Sequence, residues 1–325
     1  IGGMIGRCNG CDIDFATADV EVSTSCTEVG GLLGVSDNSS IDDSSAIGNV
    51  TAESNAGGLL GAGGNIGGVL NNLFSTGMVT TTSSTAGGLI GTFSRGDLTN
   101  SYSTGVVTAG EDTGNSYVGG LIGQFVTSTA SENIDNCYSL SDVLASGGYV
   151  GGLIGYVDNN GTKTINRSWA AGDLVTTGTF VGGLVGRLYG DINDSYAMGN
   201  INAIAGGDSV GGLVGQTESS TTIHRSFATG HTIGNSSQHY GGFVGYAQGI
   251  IASSWSSGNV HAQSGQYVGG FVGSLYGGSG DITLSHATGS VYGATDTGGF
   301  VGRNHQANSI TQNFSTGSVK GLSLI

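Results

Sequence analysis

The sequence predicts an all-β fold, a parallel β-solenoid of about eleven coils of about 30 residues each, and three observations lead to this prediction. A Gly-Gly doublet followed by two apolar residues and another Gly recurs along all 325 residues. The chain contains 65 Gly and no Pro, which excludes long helices, because each Gly in a helix costs about 1 kcal/mol relative to Ala. Variable polar stretches join the constant blocks, as turns join strands. A period near 30 residues without helical periodicity is typical of one solenoid coil per repeat.

The Gly-Gly blocks define the repeat units. They divide residues 1–325 into eleven units with no unrelated segment between them, so we expect a single solenoid. The units start near residues 1, 29, 56, 86, 118, 150, 181, 210, 240, 268 and 297. Glycine allows close approach of neighbouring backbone and positive φ at a corner. Phosphate binding, the other common use of Gly-rich segments, would need a following Gly-Lys-Ser/Thr that no block has.

A second block in each unit reads apolar-x-x-Ser-aromatic-small-x-Gly-x-apolar, as in Ile192, Ser195, Tyr196, Gly199 and Ile201. Together the two blocks predict three strands per coil. Equivalent strands would stack in parallel at about 4.8 Å, which gives a rod roughly 50 Å long. We expect right-handed winding, the usual hand of parallel crossovers. The absence of Pro suits strands paired on both sides, since Pro removes a ladder donor.

The residue after the motif Ser forms an aromatic column, which Ser45 and His286 interrupt. Its aromatic members are Phe15, Phe74, Tyr102, Tyr138, Trp169, Tyr196, Phe227, Trp255 and Phe314. We interpret the column as a structural ladder of rings buried against one another. The alternative is an exposed platform on which glycans stack. Strict strand alternation would put polar residues such as Asp194 on the same face as the rings, so either a bend intervenes or the rings face outward.

The four cysteines and the acidic turns do not predict a cofactor. The first unit contains three of the cysteines, Cys8, Cys11 and Cys26. We expect either a disulfide among them, which would stabilise an exposed end coil, or free thiols. Zinc would need a further ligand pair that the sequence lacks nearby. Cys137 occupies a motif Ser position, where a small buried thiol fits. Acidic turns such as residues 37–43 could take up calcium, although they lack the nonapeptide pattern of calcium-binding repeats.

Charge and hydropathy exclude two classes of partner. The chain has 23 acidic and 8 basic residues, a net charge of -15, whereas nucleic acid calls for a basic surface. No apolar run reaches the roughly 18 residues that a membrane span needs, and no signal-peptide pattern is present. Because the chain starts at Ile1 rather than Met, we expect a processed or excised protein located outside the cell or on its surface.

Blocks such as residues 181–186, Val-Gly-Gly-Leu-Val-Gly, and 226–230, Ser-Phe-Ala-Thr-Gly, resemble the GLUG repeat. This short Gly-Leu-any-Gly motif occurs in arrays in large secreted or surface-attached microbial proteins, and the resemblance spans all eleven units. It therefore implies a secreted or surface-attached array. Some proteins with the motif also carry a metallopeptidase domain, but this chain has no His-Glu-x-x-His to support that activity.

The two chain ends predict how copies could associate. Residues 1–6 already form a Gly-Gly block and Val319 closes a unit, so Ile1 of a second copy would follow Ile325 at a spacing found within the chain. Solenoids normally need atypical end coils, since an uncapped coil exposes unpaired backbone. We therefore expect head-to-tail stacking into a filament, a contact that does not close on itself. The alternative is an excised stretch of a longer adhesin stalk.

These observations predict a non-enzymatic extracellular structural protein whose copies stack into a surface filament. The alternative is a cell-surface adhesin stalk or glycan-binding rod, with glycans or neighbouring surface proteins as partners. A polysaccharide lyase or hydrolase, chemistry that parallel β-helices often support, would need clustered acids or a catalytic Lys or Arg beside a groove. The basic residues of this chain are mostly isolated in the sequence.

Overall fold

The structure, a computed structural model, describes residues 1–64, 69–110, 116–126, 131–204, 207–235, 238–277, 280–306 and 308–321. These residues form an all-β parallel solenoid, as predicted, in which every strand pairs in parallel with its equivalents in the adjacent coils. Four sheets have eleven strands and one has ten. Across the same residues, no helix is long and apolar enough to cross a membrane. The right-handed winding stays a prediction.

The five sheets are numbered here in the order in which a coil passes through them. The first sheet contains Thr27–Gly30, Ser54–Gly57, Ala86–Gly87, Tyr117–Gly119, Tyr149–Gly151, Phe180–Gly182, Ser209–Gly211, His239–Gly241, Tyr267–Gly269 and Asp296–Gly298. The second contains Ile5–Asn9, Leu33–Asp37, Leu60–Gly64, Ile90–Phe93, Ile122–Phe125, Ile154–Val157, Val185–Leu188, Val214–Thr217, Val244–Ala247, Val272–Leu275 and Val301–Asn304.

The other three sheets complete each coil. The third contains Asp12–Asp14, Ser40–Asp42, Val69–Asn71, Asp97–Thr99, Ser131–Asp135, Thr162–Asn166, Asp191–Asn193, Thr222–His224, Ile250–Ala252, Ile282–Thr283 and Ile310–Thr311. The fourth contains Thr17–Ala18, Ser45–Ala46, Phe74–Ser75, Tyr102–Ser103, Tyr138–Ser139, Trp169–Ala170, Tyr196–Ala197, Phe227–Ala228, Trp255–Ser256, His286–Ala287 and Phe314–Ser315. The fifth contains Val22–Ser23, Val50–Ala52, Val79–Thr81, Val107–Ala109, Val143–Ala145, Leu174–Thr176, Ile201–Ala203, Thr232–Gly234, Val260–Ala262, Val291–Gly293 and Val319–Gly321.

Each complete coil has five strands rather than the predicted three, because a corner divides both of the longer blocks. The Gly-Gly block splits after its first Gly, and the Ser-aromatic block splits at a residue with positive φ, such as Asp194 at 51°. Asn and Asp tolerate this left-handed conformation better than most residues. Positive φ recurs at the equivalent position of each coil, at Phe15, Asp43, Asn72, Asn100, Asn136, Arg167, Arg225, Ser253, Leu284 and Gln312. This turn is the bend that the sequence required between the opening Ile and the ring.

Two strips of apolar side chains fill the interior of the solenoid. In one strip, Leu184, Val185 and Ile192 and their equivalents stack from coil to coil. In the other, Val181 and Ile201 and their equivalents do the same. Like side chains therefore bury like side chains along the axis, because the spacing within each motif block is constant while the turns absorb the differences in repeat length.

The Gly-Gly doublets are required by close backbone approach. A Cβ on Gly182 would lie 1.9 Å from the carbonyl oxygen of Val185, and a Cβ on Gly183 would lie 2.1 Å from the carbonyl oxygen of Gly212 in the next coil. Neither glycine has positive φ. Of the two reasons that the sequence offered for glycine here, only the close approach applies.

The motif serines form a buried hydrogen-bonded column at the corner between the third and fourth sheets. The Ser195 hydroxyl donates to the carbonyl oxygen of Asn193 at 2.7 Å and accepts from the backbone N–H of Ser168 at 3.1 Å. The backbone N–H of Ser195 donates in turn to the hydroxyl of Ser226 at 3.2 Å. Each serine hydroxyl thus accepts a hydrogen bond from the backbone N–H of the equivalent serine in the preceding coil, which lies at the corner between two strands.

The Ser195→Ala variant is expected to lower the free energy of unfolding by about 1–3 kcal/mol, because the buried N–H of Ser168 loses its acceptor. Urea titration followed by circular dichroism measures the change. Ser195→Cys is the matched control. It should cost less, because Cys137 already occupies this column and its thiol lies 3.3 Å from the carbonyl oxygen of Asp135. Equal losses in both variants would contradict the role of this hydrogen bond.

Candidate functional site

The aromatic column of the fourth sheet lies on the outer surface of the solenoid. Its rings are partly exposed, whereas the following residue of each strand, such as Ala197 after Tyr196, is buried. Consecutive rings from Phe74 to Phe314, including His286, stack with centroids 4.6 to 6.0 Å apart and interplanar angles of 2° to 9°. The rings therefore form a continuous ladder, but one outside the core rather than within it.

Phe15 does not belong to this column, which corrects its placement from the sequence. Strand pairing aligns Ile13 with Ile41 and Thr17 with Ser45, so Thr17 occupies the ring position of the first coil. Phe15 lies in the left-handed turn instead, with φ 52° and 76% exposure. The sequence pattern placed Phe15 two residues away from its true position. In the first unit, either Phe15 could be aligned with the rings or Ile13 with the opening Ile, and the register of strand pairing follows Ile13.

The stacking geometry limits what the ladder can bind. Within it, each ring such as Tyr196 has a neighbour about 5 Å away on both faces, a separation typical of favourable aromatic pairs. A sugar ring that stacks on an aromatic face would need one of these faces to be free. Between Phe74 and Phe314 the column therefore offers ring edges to a ligand rather than faces.

A second aromatic surface, which the sequence analysis did not identify, lies where the first and second sheets meet. Tyr117, Tyr149 and Phe180 stack at 5.2 and 5.1 Å along the first sheet. Tyr156 of the second sheet packs 5.1 Å from Tyr149 across the corner. Burial, assisted by the Tyr189 hydroxyl, raises the pKa of Tyr156 to about 12. The signal was present in the sequence as an aromatic residue two positions before several of the Gly-Gly doublets.

Charged groups pair on this second surface. Arg187 makes an ion pair of 2.7 Å with Glu218, and its guanidinium lies 5.5 Å from the centroid of Phe180 and 5.1 Å from that of Tyr189. Cation–π contacts of this kind add to the stabilisation by the ion pair.

The second aromatic surface continues further along the axis, where His239 stacks on Tyr267 at 5.1 Å.

A buried ion pair stabilises one turn between the second and third sheets. The side chain of Lys163 has no exposed surface, and its ammonium contacts a carboxylate oxygen of Asp158 and the carbonyl oxygens of Asp158 and Asn160. It also lies 5.7 Å from the centroid of the Phe125 ring. These contacts fully engage Lys163 with the turn, which makes it a structural residue.

The structure joins Cys8 to Cys11 in a disulfide with a Cα–Cα distance of 6.0 Å, whereas Cys26 is free and exposed. Cys137 is buried, and burial raises its pKa to about 12. This thiol is therefore protonated at neutral pH.

The acidic turns considered for calcium pair with other groups. Asp37 lies 3.3 Å from Arg7, and Asp43 accepts a hydrogen bond from Asn72. Over the part of the chain that the structure describes, no group of three or more His, Cys, Asp or Glu side chains could hold a metal ion.

Comparison with known proteins connects the repeat to a family. Residues 25–51 and 264–292 match the family described as the GLUG motif. Over 250 residues, 73% of the chain, the sequence is 32% identical to Halomucin of Haloquadratum walsbyi. The chain spans 2% of the length of that relative. No solved structure matches the chain.

Proposed function

Since the chain is a GLUG-motif β-solenoid, we propose that it serves as a non-enzymatic structural rod outside the cell, and that further coils stack in register on its open faces to form a surface filament. The similarity to Halomucin supports a surface or secreted location. The five continuous parallel sheets support a stiff element, since each strand is hydrogen-bonded along the axis.

The exposure of the last coil is the observation that carries the stacking proposal. Ile310 and Val319 are 39% and 49% exposed, although their equivalents one coil earlier, Ile282 and Val291, are 0% and 2% exposed. Phe314 is 55% exposed at the same face. Unpaired strand edges above an apolar core are a template for another coil. We assign that coil to a second copy of the chain. Residues 322–325, through which the sequence predicts the junction, lie outside the described residues.

The pairing of the basic side chains supports a structural role over a polysaccharide lyase or hydrolase. In the described part of the chain, ion pairs engage Arg7, Lys163, Arg167, Arg187, Arg225 and Arg303. Arg225, for example, donates to both carboxylate oxygens of Asp194 at 2.6 Å. The pairs of Arg7, Arg167, Arg187 and Arg225 join adjacent coils, whereas those of Lys163 and Arg303 lie within one coil.

Sedimentation velocity and electron microscopy of the purified chain at rising concentration test the stacking proposal. We expect linear particles with an axial repeat of roughly 50 Å per copy, and we expect Val319→Lys to abolish them by placing a charge on the open face. Val175→Lys is the matched control, because Val175 is an exposed apolar residue of the fifth sheet on the side wall. Stable monomers at every concentration would exclude self-stacking and favour neighbouring coils in the same polypeptide, as in an adhesin stalk.

A second candidate function, adhesion to glycans along the side wall, is supported by the outward position of the rings. Trp169 and Trp255, both partly exposed, are the largest side chains of this column. Because neighbouring rings cover the ring faces of this column, a glycan could contact only the ring edges. Stacking of a sugar on an aromatic ring would therefore require a different part of the surface.

A further inference from the structure

One position in the aromatic column of the first sheet lacks a ring. Strand pairing aligns Tyr149 with Phe180, Phe180 with Ser209, Ser209 with His239, and His239 with Tyr267. Rings therefore occupy the column on both sides of Ser209. Phe180 and His239 each have a stacked neighbour on the side away from Ser209, and a serine separates them along the column. At the margins of this gap, the Arg187 guanidinium lies 5.5 Å from the Phe180 centroid, and Tyr246 packs edge-on at 5.0 Å from His239.

The spacing at this position fits one additional ring. Tyr149 and Phe180 stack at 5.1 Å, as do His239 and Tyr267, one coil apart in each case. Phe180 and His239 are two coils apart, so their rings are separated by about 10 Å. A ring placed midway would lie about 5 Å from each, within the 4.5–7 Å range of stacked centroids.

A cleft is present at this position. Phe180 and His239 line it together with Ser209, Tyr246 and polar side chains, and it opens outward. The polar lining residues are Asp208, Gln216, Gln238 and Gln248. Its volume of ≈ 290 Å³ is at the lower limit of small-molecule sites, about 300 Å³. This size suits one six-membered ring.

His239 supplies an independent sign of a missing partner. The residue is 9% exposed, and its buried Nδ1 has no hydrogen-bond partner. Burial, with a smaller contribution from His305, lowers the pKa of His239 to about 4. The imidazole is therefore neutral at pH 7 and can stack like an aromatic ring. A buried polar atom without a hydrogen-bond partner is uncommon in a folded protein, and it marks this part of the column as unusual.

We propose that the cleft at Ser209 binds a single pyranose ring of a neutral glycan, held between the faces of Phe180 and His239. Three glutamine amides and the Asp208 carboxylate around the opening match the hydroxyl groups of a sugar, which need both donors and acceptors. An acidic sugar is disfavoured, because Asp208 lies at the opening and the chain carries a net charge of -15. The site does not depend on the proposed stacking of end coils.

Saturation-transfer NMR on the full chain tests the proposal with methyl glucoside, methyl galactoside and methyl N-acetylglucosaminide as probes. Methyl glucuronide and p-cresol serve as the acidic and aromatic comparisons. We expect at least one neutral glycoside to bind with a Kd on the order of 1 mM, a weak affinity that suits one small ring, and to shift the imidazole resonances of His239. Failure of all three neutral glycosides to bind, or binding of p-cresol alone, would overturn the proposal.

Ser209→Tyr tests the position directly, since it would complete the column with a ring of the protein itself. We expect it to abolish glycoside binding and to raise the thermal unfolding temperature. Phe180→Leu removes one of the two aromatic rings that line the cleft and should weaken glycoside binding at least tenfold. This variant tests the proposal even if Ser209→Tyr does not fold. Val175→Ala, in the fifth sheet, should leave binding unchanged. Retained binding in both Ser209→Tyr and Phe180→Leu would refute the site at Ser209. Loss of binding in Trp169→Ala would also refute it and would place the site on the ladder of the fourth sheet.

Discussion

Gly186→Ala is expected to lower the free energy of unfolding by about 3 kcal/mol or more, an effect at the upper end of overpacking changes. A Cβ on Gly186 would lie 2.5 Å from the carbonyl oxygen of Gly155 and 2.8 Å from the backbone nitrogen of Val150. Both atoms belong to the backbone of the preceding coil, so no rotamer change can relieve the clash. The coils would have to separate locally, with loss of ladder hydrogen bonds in the first and second sheets.

Gly6→Ala is the matched control for this substitution. Gly6 occupies the same motif position in the first coil, where a Cβ would meet no atom within 4 Å. In the monomer, its replacement should be neutral or stabilising by up to about 1 kcal/mol, since alanine reduces the freedom of the unfolded chain. Urea titration of both variants gives the comparison, and hydrogen exchange should locate the loosened coils around Gly186. Similar destabilisation by both substitutions would contradict the close-approach explanation.

Asp158→Asn is expected to destabilise the chain by about 3 kcal/mol, the cost of removing one partner from a buried ion pair. Lys163 has a fully buried side chain, and that of Asp158 is 10% exposed. Without the carboxylate, the ammonium loses its compensating charge although the Lys163 side chain has no exposed surface. Chemical denaturation at pH 7 measures the loss.

Two further variants separate this effect from a general effect of charge removal. Asp194→Asn breaks the pair with Arg225, in which the Arg225 and Asp194 side chains are 52% and 43% exposed. It should cost far less stability than Asp158→Asn, because water screens exposed pairs. Adding Lys163→Met to Asp158→Asn should restore much of the stability, since neither charge then remains buried. Equal losses from Asp158→Asn and Asp194→Asn would refute the distinction.

The sequence predicted the solenoid because its evidence is local and repeated. The spacing of blocks such as the one around Gly182 gives the coil length, and the columns of Val181, Leu184 and Ile192 supply the core. The corners were harder to predict. Asn and Asp mark the left-handed turn in several coils, but Arg167 and Leu284 adopt the same positive φ, a conformation that their residue types do not indicate.

The two aromatic surfaces show why sites were harder to predict than the fold. Tyr149 and Tyr156 are seven residues apart, and only the corner between the first and second sheets brings their rings to 5.1 Å. Ser209 has no distinguishing feature as a residue. It becomes notable because strand pairing places it between Phe180 and His239.

The amino-acid sequence alone determined the fold class, the coil repeat and the identity of the GLUG motif, because each depends on residues close together in the chain and repeated many times. The tertiary structure decided the number of strands per coil, the outward position of the rings, the register of Phe15 and the gap at Ser209. These depend on which residues meet across corners and between coils. Strand register and left-handed turns control such contacts, and both depend on the packing of neighbouring coils more than on the types of the residues themselves.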